Sequence, residues 1–162
     1  MQQLEERLRP EERFRRDRGQ FEAFEEEAPR FGKPISLTPR LGQGSFRIKV
    51  ASVYNFSCSV SETKVLPALD AAHIKPYGKG GTHKLENGIL FRKDIHSVFD
   101  SGFATVDEQY RFIVSSKIKD VFNNGNEYRR LHGQKLFLPG LENQWPSKEN
   151  LEWHRNNCFV GG

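Results

Sequence analysis

The feature that most limits what this chain can fold into is the stretch from residue 69 to 102, LDAAHIKPYGKGGTHKLENGILFRKDIHSVFDSG. Two short apolar runs stand in it, Ala71-Ala72-His73-Ile74 and Gly88-Ile89-Leu90-Phe91. Each has the length and content of a buried strand. Between them Pro76, Gly78, Gly80 and Gly81 break any regular element, so the chain must loop. Directly after the second run, Lys93 to Phe99 carries a short helical pattern that stops at Ser101-Gly102. The order is therefore strand, loop, strand, helix. His73 closes the first strand, Asn87 opens the second, and His96 rides on the helix.

These residue types in this order suit phosphodiester hydrolysis. That reaction needs a nucleophile near neutral pH, neutralisation of charge at phosphorus, and help for the leaving oxygen. A histidine can deprotonate water, and a divalent cation can supply the other two. His73, at a strand end facing a Gly-rich loop, is read as the general base. His96 and Asp100 stand four apart on the helix, so their side chains share a face and form a half-site for a cation. Asp70 is a further candidate ligand, although strand alternation puts it on the side of Ala72 rather than of His73. Asn87 can bind loop backbone with both its donor and its acceptor, and so hold the loop near His73. His83 is read as a polar loop residue or phosphate contact, and His132 and His154 receive no role. Lys75, Lys79, Lys84, Arg92 and Lys93 crowd the loop and the helix start; with Arg47 they are the candidate contacts to a nucleic-acid backbone.

The remainder of the chain builds a setting for this centre. A length of 162 residues suits one domain with an appendage. Residues 1–30 hold seven Arg against nine Asp and Glu, a net of −2; the rest holds eighteen basic against twelve acidic residues, a net of +6. A basic main body favours a polyanionic partner. The first 39 residues read as a charged helical arm and linker, the rest as the catalytic domain. Pro29, Gly32, Pro34 and Pro39 mark the boundary. A helix is expected to end near Tyr54. A strand, turn and return are expected over 56–68, and a hairpin over 103–114. A polar loop should follow from Lys117 to Asn126, then a short strand at Leu136–Pro139. A last helix should be capped by Ser147. The two cysteines, Cys58 and Cys158, lack the spacing of a zinc site and are read as reduced core residues. The amino-terminus lacks an apolar signal segment, and no run approaches membrane-spanning length, so a cytoplasmic protein without membrane partners is expected.

Several phrases resemble the HNH endonucleases of the restriction-enzyme-like bacterial branch: RLGQGSFR before a helix ending in Tyr54, AAHIKPY with its GG loop and ENGILF, DIHSVFDSG, the LFLP segment, and LEWH near the end. The likeness covers residues 40–162. It implies an α+β fold with a ββα-metal core and flanking short strands and helices. It also implies one divalent cation, with Mg2+ first and Mn2+, Ni2+ or Zn2+ as relatives. The first His would activate water, the Asn would shape the loop and the last His would bind metal. Those roles fall on His73, Asn87 and His96, with double-stranded DNA as substrate and 5′-phosphate and 3′-hydroxyl products. Two departures stand out. Ala72 occupies the place where many members carry an acidic or His ligand, so Asp70 or Asp100 must supply it. The paired cysteines of a structural zinc are absent. One such site cuts one strand. Double-strand cleavage would need a homodimer, sequential nicks, or a larger DNA-targeting complex, in restriction, phage defence or an RNA-guided effector. The alternatives are a catalytically inactive DNA-binding or scaffold module, fed by Ala72, and an RNase.

Overall fold

Apolar residues at helical spacing start the first element. Phe46, Val50, Ala51 and Tyr54 are buried, while Ile48 between them is exposed. They form one face of helix α1 (Gln43–Val53) and its first turn beyond. The computed structural model describes residues 43–161. The arm and linker expected over 1–39 lie outside the described residues.

Strand β1 (Leu69–His73) pairs antiparallel with β2 (Gly88–Arg92), setting Asp70 opposite Phe91 and His73 opposite Gly88. Gly88 is fixed by packing rather than by a turn. A Cβ there would come within 2.6 Å of Val50 Cγ2 and 2.9 Å of Phe46 Cζ. The missing side chain thus lets α1 lie directly on the sheet. β2 is buried nearly throughout and runs straight into helix α2 (Lys93–Asp100), which buries Ile95 and Phe99. The end of α2 is sharp. Gly102 takes a φ of 80° and donates its N–H to Phe99, while Phe103 donates to Val98. These two bonds satisfy the last carbonyls of the helix. The Cys158 carbonyl would lie 2.0 Å from a Cβ on Gly102, so no side chain fits.

A second antiparallel pair follows, β3 (Ala104–Val106) with β4 (Phe112–Val114). The turn between them is held by Asp107, whose carboxylate accepts from the N–H groups of Gln109 and Arg111 and from the Arg111 side chain. Helix α5 (Lys148–Asn157) closes the described chain. Ser147 caps it by accepting from the Asn150 N–H at 3.1 Å. Leu151 and His154 on α5 are buried and join the core that Leu69, Phe91, Phe99 and Phe112 build between sheets and helices. The described residues form an α+β fold, with two small antiparallel sheets among helices. Among the described residues, no helix is long and apolar enough to cross a membrane.

Three expectations are corrected. Residues 56–68 form no strand pair. The Ser61 and Thr63 hydroxyls bond each other at 3.0 Å and the Ser61 N–H meets Cys58 Sγ, while the Ser59 hydroxyl donates to the distant Phe137 carbonyl at 2.9 Å. This is the competition with regular structure that Ser and Thr side chains offer. Residues 117–126 are not a plain loop: they carry helix α3 (Lys117–Phe122) and the start of α4 (Asn126–Arg129). α3 forms because Ile118 is buried and Phe122 packs its ring against Phe103, 5.1 Å between centroids. Residues 136–139 make no strand. Leu136 is buried and its N–H reaches the Tyr110 carbonyl, but the ladder reduces to one bridge between Arg111 and Lys135. Neither cysteine is in a disulfide; Cys58 is buried and Cys158 half-buried.

Candidate active site

A cleft of about 360 Å³ opens where β1, the following loop, α2 and α5 meet. His73, Tyr77, His96, Asp100, His154 and Cys158 are among its lining residues. Elements far apart in sequence thus bring three histidines to one cavity.

His73 is held from two sides. Its ring stacks on Phe46 with centroids 4.0 Å apart and planes within 13°. Its Nε2 lies 3.0 Å from Nδ1 of His83. His83 in turn stacks on Tyr77, 4.8 Å between centroids and 10° between planes. The sequence predicts for His83 a polar loop residue or phosphate contact, not a partner of His73. The pairing escaped it because it depends on how the loop closes, not on spacing.

Asn87 determines that closure. The residue is fully buried. Its Oδ1 accepts from the Lys75 N–H at 2.9 Å, while Nδ2 donates to the carbonyls of Lys75 at 2.9 Å and Thr82 at 2.8 Å. One amide therefore ties the segment just after His73 to the residue just before His83. Gly81 completes the crossing, since a Cβ there would sit 1.8 Å from the Lys75 carbonyl oxygen.

His96 stands between two carboxylates. Nδ1 is 3.0 Å from Asp70 Oδ2 and Nε2 is 3.1 Å from Asp100 Oδ2. Burial pulls the imidazole down, but the hydrogen bonds and charges of Asp100 and then Asp70 outweigh it and hold the ring above its ordinary pKa. Asp70 reaches α2 despite the side its strand position suggested. The two carboxylates flank opposite ends of the ring, so one ion cannot take both nitrogens. Nε2 with Asp100 is the pair on the cleft side, because Asp100 lines the cavity. Nδ1 with Asp70 is then an orienting contact behind it. Ala72 is fully buried, turned into the core.

The donor set bears on a divalent cation. Among the described residues, no group of three or more His, Cys, Asp and Glu is arranged to hold a metal ion. An imidazole with one carboxylate is a two-ligand site. That fits a hard cation that keeps several waters and takes its other oxygens from a phosphate.

His154 was assigned no role from sequence, although its spacing from Leu151 places both on one helix face. Its Nδ1 lies 2.9 Å from the Thr105 hydroxyl and its ring stacks on Phe99 at 3.8 Å. Nε2 is buried without a hydrogen-bond partner. Burial pushes its pKa down to about 4, so the ring is neutral at pH 7. His132 bonds the Val114 backbone, away from the cleft.

The candidate backbone contacts differ among themselves. Arg92 is bound to both oxygens of Asp94, at 2.6 and 2.7 Å, and Arg47 donates to the Leu69 carbonyl at 3.1 Å. Lys75 lies 5.5 Å over the Trp153 ring, and Lys84 is 3.9 Å from Glu86. Lys79 and Lys93 are exposed.

A family model described as HNH endonuclease matches residues 58–107, which span β1, the loop, Asn87, β2 and α2. This segment is similar to HNH endonucleases. A solved structure, the modification dependent TagI restriction endonuclease, superposes with a TM-score of 0.55 at 16% sequence identity. The alignment covers 75% of this chain and 40% of that one. At that identity the likeness is one of fold, and it extends beyond residues 58–107. The chain spans less than half the length of this structural relative. No curated protein matches the chain.

Proposed function

We propose that this domain is a metal-dependent DNA endonuclease of the HNH type in which β1, β2 and α2 act as a ββα-metal unit. The observation that carries this reading is the meeting of His73, His96 and Asp100 around one cleft. His73 takes the proton of the attacking water. Its ring is kept from rotating by the Phe46 stack. His96 and Asp100 would hold a divalent cation, with Asp70 fixing the orientation of the His96 ring. Such a cation, when bound, neutralises charge at phosphorus and assists the departing oxygen. Asn87 touches neither water nor phosphate in this scheme; it keeps the loop in the form that presents His73. Lys79 and Lys93 are best placed to meet phosphates, because their charges are exposed. Arg92 and Arg47 keep the internal partners described above.

One cleft of this kind cuts one strand. Cutting a duplex would require a second copy, two successive nicks, or a larger DNA-targeting assembly, as in restriction or defence against phage. A second reading, a DNA-binding module without catalysis, is favoured by Ala72, which is buried in the core next to His73 and offers an ion no ligand.

The test is incubation of supercoiled plasmid, linear duplex, single strands and RNA with the protein in Mg2+ or Mn2+, with an EDTA control. Cleavage of DNA that EDTA abolishes supports the proposal. DNA retention in a filter assay without cleavage in either metal supports the second reading, and preferential RNA cleavage would replace the substrate.

A further inference from the structure

We propose that Tyr77 is a stacking platform for a nucleobase that has left the helical stack beside the scissile phosphate, so that the cleft prefers DNA with an unpaired base next to the cut. The inference rests on the nuclease reading above and deepens it by naming the form of DNA taken. Tyr77 lines the cleft together with His73, His96 and Asp100. Its ring stacks on His83, 4.8 Å between centroids and 10° between planes, yet the residue is 55% exposed. With one face covered by His83, that exposure falls on the opposite face and the edge. Behind His83 the rings continue inward. His83 meets His73 edge to face at 5.1 Å, and His73 stacks on buried Phe46. A run of four rings therefore leads from the core to one open aromatic face in the cleft.

An exposed tyrosine alone is ordinary on a protein surface. This one is held in place. Pro76 before it takes a φ of −58° and starts a short 3-10 turn, Tyr77–Lys79. The N–H groups of Lys79 and Gly81 both donate to the Pro76 carbonyl, and Gly80, with a φ of 86°, donates to Tyr77. On the other side of Pro76, the Lys75 ammonium lies over the Trp153 ring of α5. A ring fixed in this way loses little freedom when a ligand covers it. A flat open ring suits the π-face of a base, and every base has one, so this contact reads no sequence. Within a paired duplex that face is already covered by the neighbouring bases. The platform therefore serves only a base that has unstacked, which costs least where the base is mispaired or single-stranded. Lys79, two residues on and exposed, adds a charge for the phosphates of the same strand. Tyr77 contacts the substrate without taking part in proton transfer.

The experiment measures binding and nicking separately on the full chain. Binding is read by fluorescence anisotropy in EDTA, with a short labelled duplex that is fully paired and the same duplex carrying one mispair. The two carry the same phosphate charge, so their difference reports the unpaired base. The wild type is expected to bind the mispaired duplex about tenfold more tightly than the paired one. Tyr77→Leu keeps an apolar side chain without a ring and is expected to lose that preference. Tyr77→Phe is expected to keep it within about twofold. In Mg2+ or Mn2+, nicking beside the mispair should follow the same order, with all three proteins at one urea midpoint. Equal binding of the two duplexes by the wild type overturns the proposal. So does a preference unchanged in Tyr77→Leu, or a Phe variant that behaves as Leu does. The two failures are separable. A Tyr77-dependent preference without cutting in either metal sinks the nuclease reading and leaves this one standing. Cutting with the same preference in wild type and Tyr77→Leu sinks this one alone.

Discussion

Asn87 offers the most informative single perturbation, because one buried side chain makes three bonds to loop backbone. A neutral hydrogen bond contributes about 1 kcal/mol net, and a buried group left without its partner costs about 1–3 kcal/mol. Asn87→Ala removes all three bonds and strips partners from the Lys75 N–H and from the Lys75 and Thr82 carbonyls. The expected loss is about 3–5 kcal/mol. That is a large part of the 5–15 kcal/mol or so by which a small domain is stable. With an m-value of about 2 kcal/mol/M, the urea midpoint should fall by about 2 M. The fluorescence of Trp145 and Trp153 can follow it. Asn87→Asp sharpens the test. The carboxylate keeps the bond from the Lys75 N–H but turns an acceptor toward two carbonyls. It should be at least as damaging as Ala at neutral pH. It should recover partly in acid, when a protonated carboxyl can donate to one of them. A midpoint shift below about 0.5 M for Asn87→Ala, with m unchanged, would refute the claim that this amide holds the loop.

Other outcomes follow from the same contacts. Gly88→Ala drives a methyl into Val50 and Phe46 and should cost about 1–3 kcal/mol by overpacking. Because Phe46 stacks on His73, nicking should fall further than the folded fraction does, as parallel denaturation and activity curves would reveal. His154 has a folded pKa of about 4, below the ordinary 6.5, because of burial. The unfolded chain therefore binds a proton that the folded chain refuses between those values. Stability should drop by about 3 kcal/mol as pH falls from 6.5 to 4, and stay flat with respect to this group outside that window. Urea titrations in which His154→Gln shows the same slope as the wild type would exclude this cause. Asp100→Asn should weaken Mn2+ binding in calorimetry more than Asp70→Asn, since an amide at position 70 still accepts from His96 Nδ1–H. The reverse order would exchange the roles of the two carboxylates.

The centre of the fold was readable because breakers and apolar runs alternate sharply from 69 to 102. The limits of β1, β2 and α2 follow from Pro76, the glycines and Gly102. Ser147 likewise announced α5 through a cap that any helix start would use. The errors came where regular structure is decided by a few distant contacts. The hydroxyl-rich segment after Tyr54 has the alternation of a strand, yet its polar groups go partly to one another, as Ser61 to Thr63, and partly to distant backbone, as Ser59 to Phe137 and Leu90. α3 rests on little more than Ile118 and the Phe122–Phe103 contact, and its polar surface reads as loop. Within the cleft, the pairing of His96 with Asp100 could be drawn from a four-residue step on a helix. The contact of Asp70 with His96 needs strand twist that alternation does not describe. The His73–His83 pair needs the loop to be closed first, which Asn87 and Gly81 do through backbone contacts that no side-chain pattern records.

His73 is proposed as the base of a metal-dependent nuclease. Single-turnover nicking of supercoiled plasmid by wild type and His73→Ala in saturating Mn2+ tests it, with both proteins checked for the same urea midpoint. Loss of a general base removes about 10²–10⁴-fold in rate. The expected result is a fall in that range for His73→Ala, with Mn2+ affinity unchanged. Cleavage by His73→Ala within a few-fold of wild type would contradict the assignment.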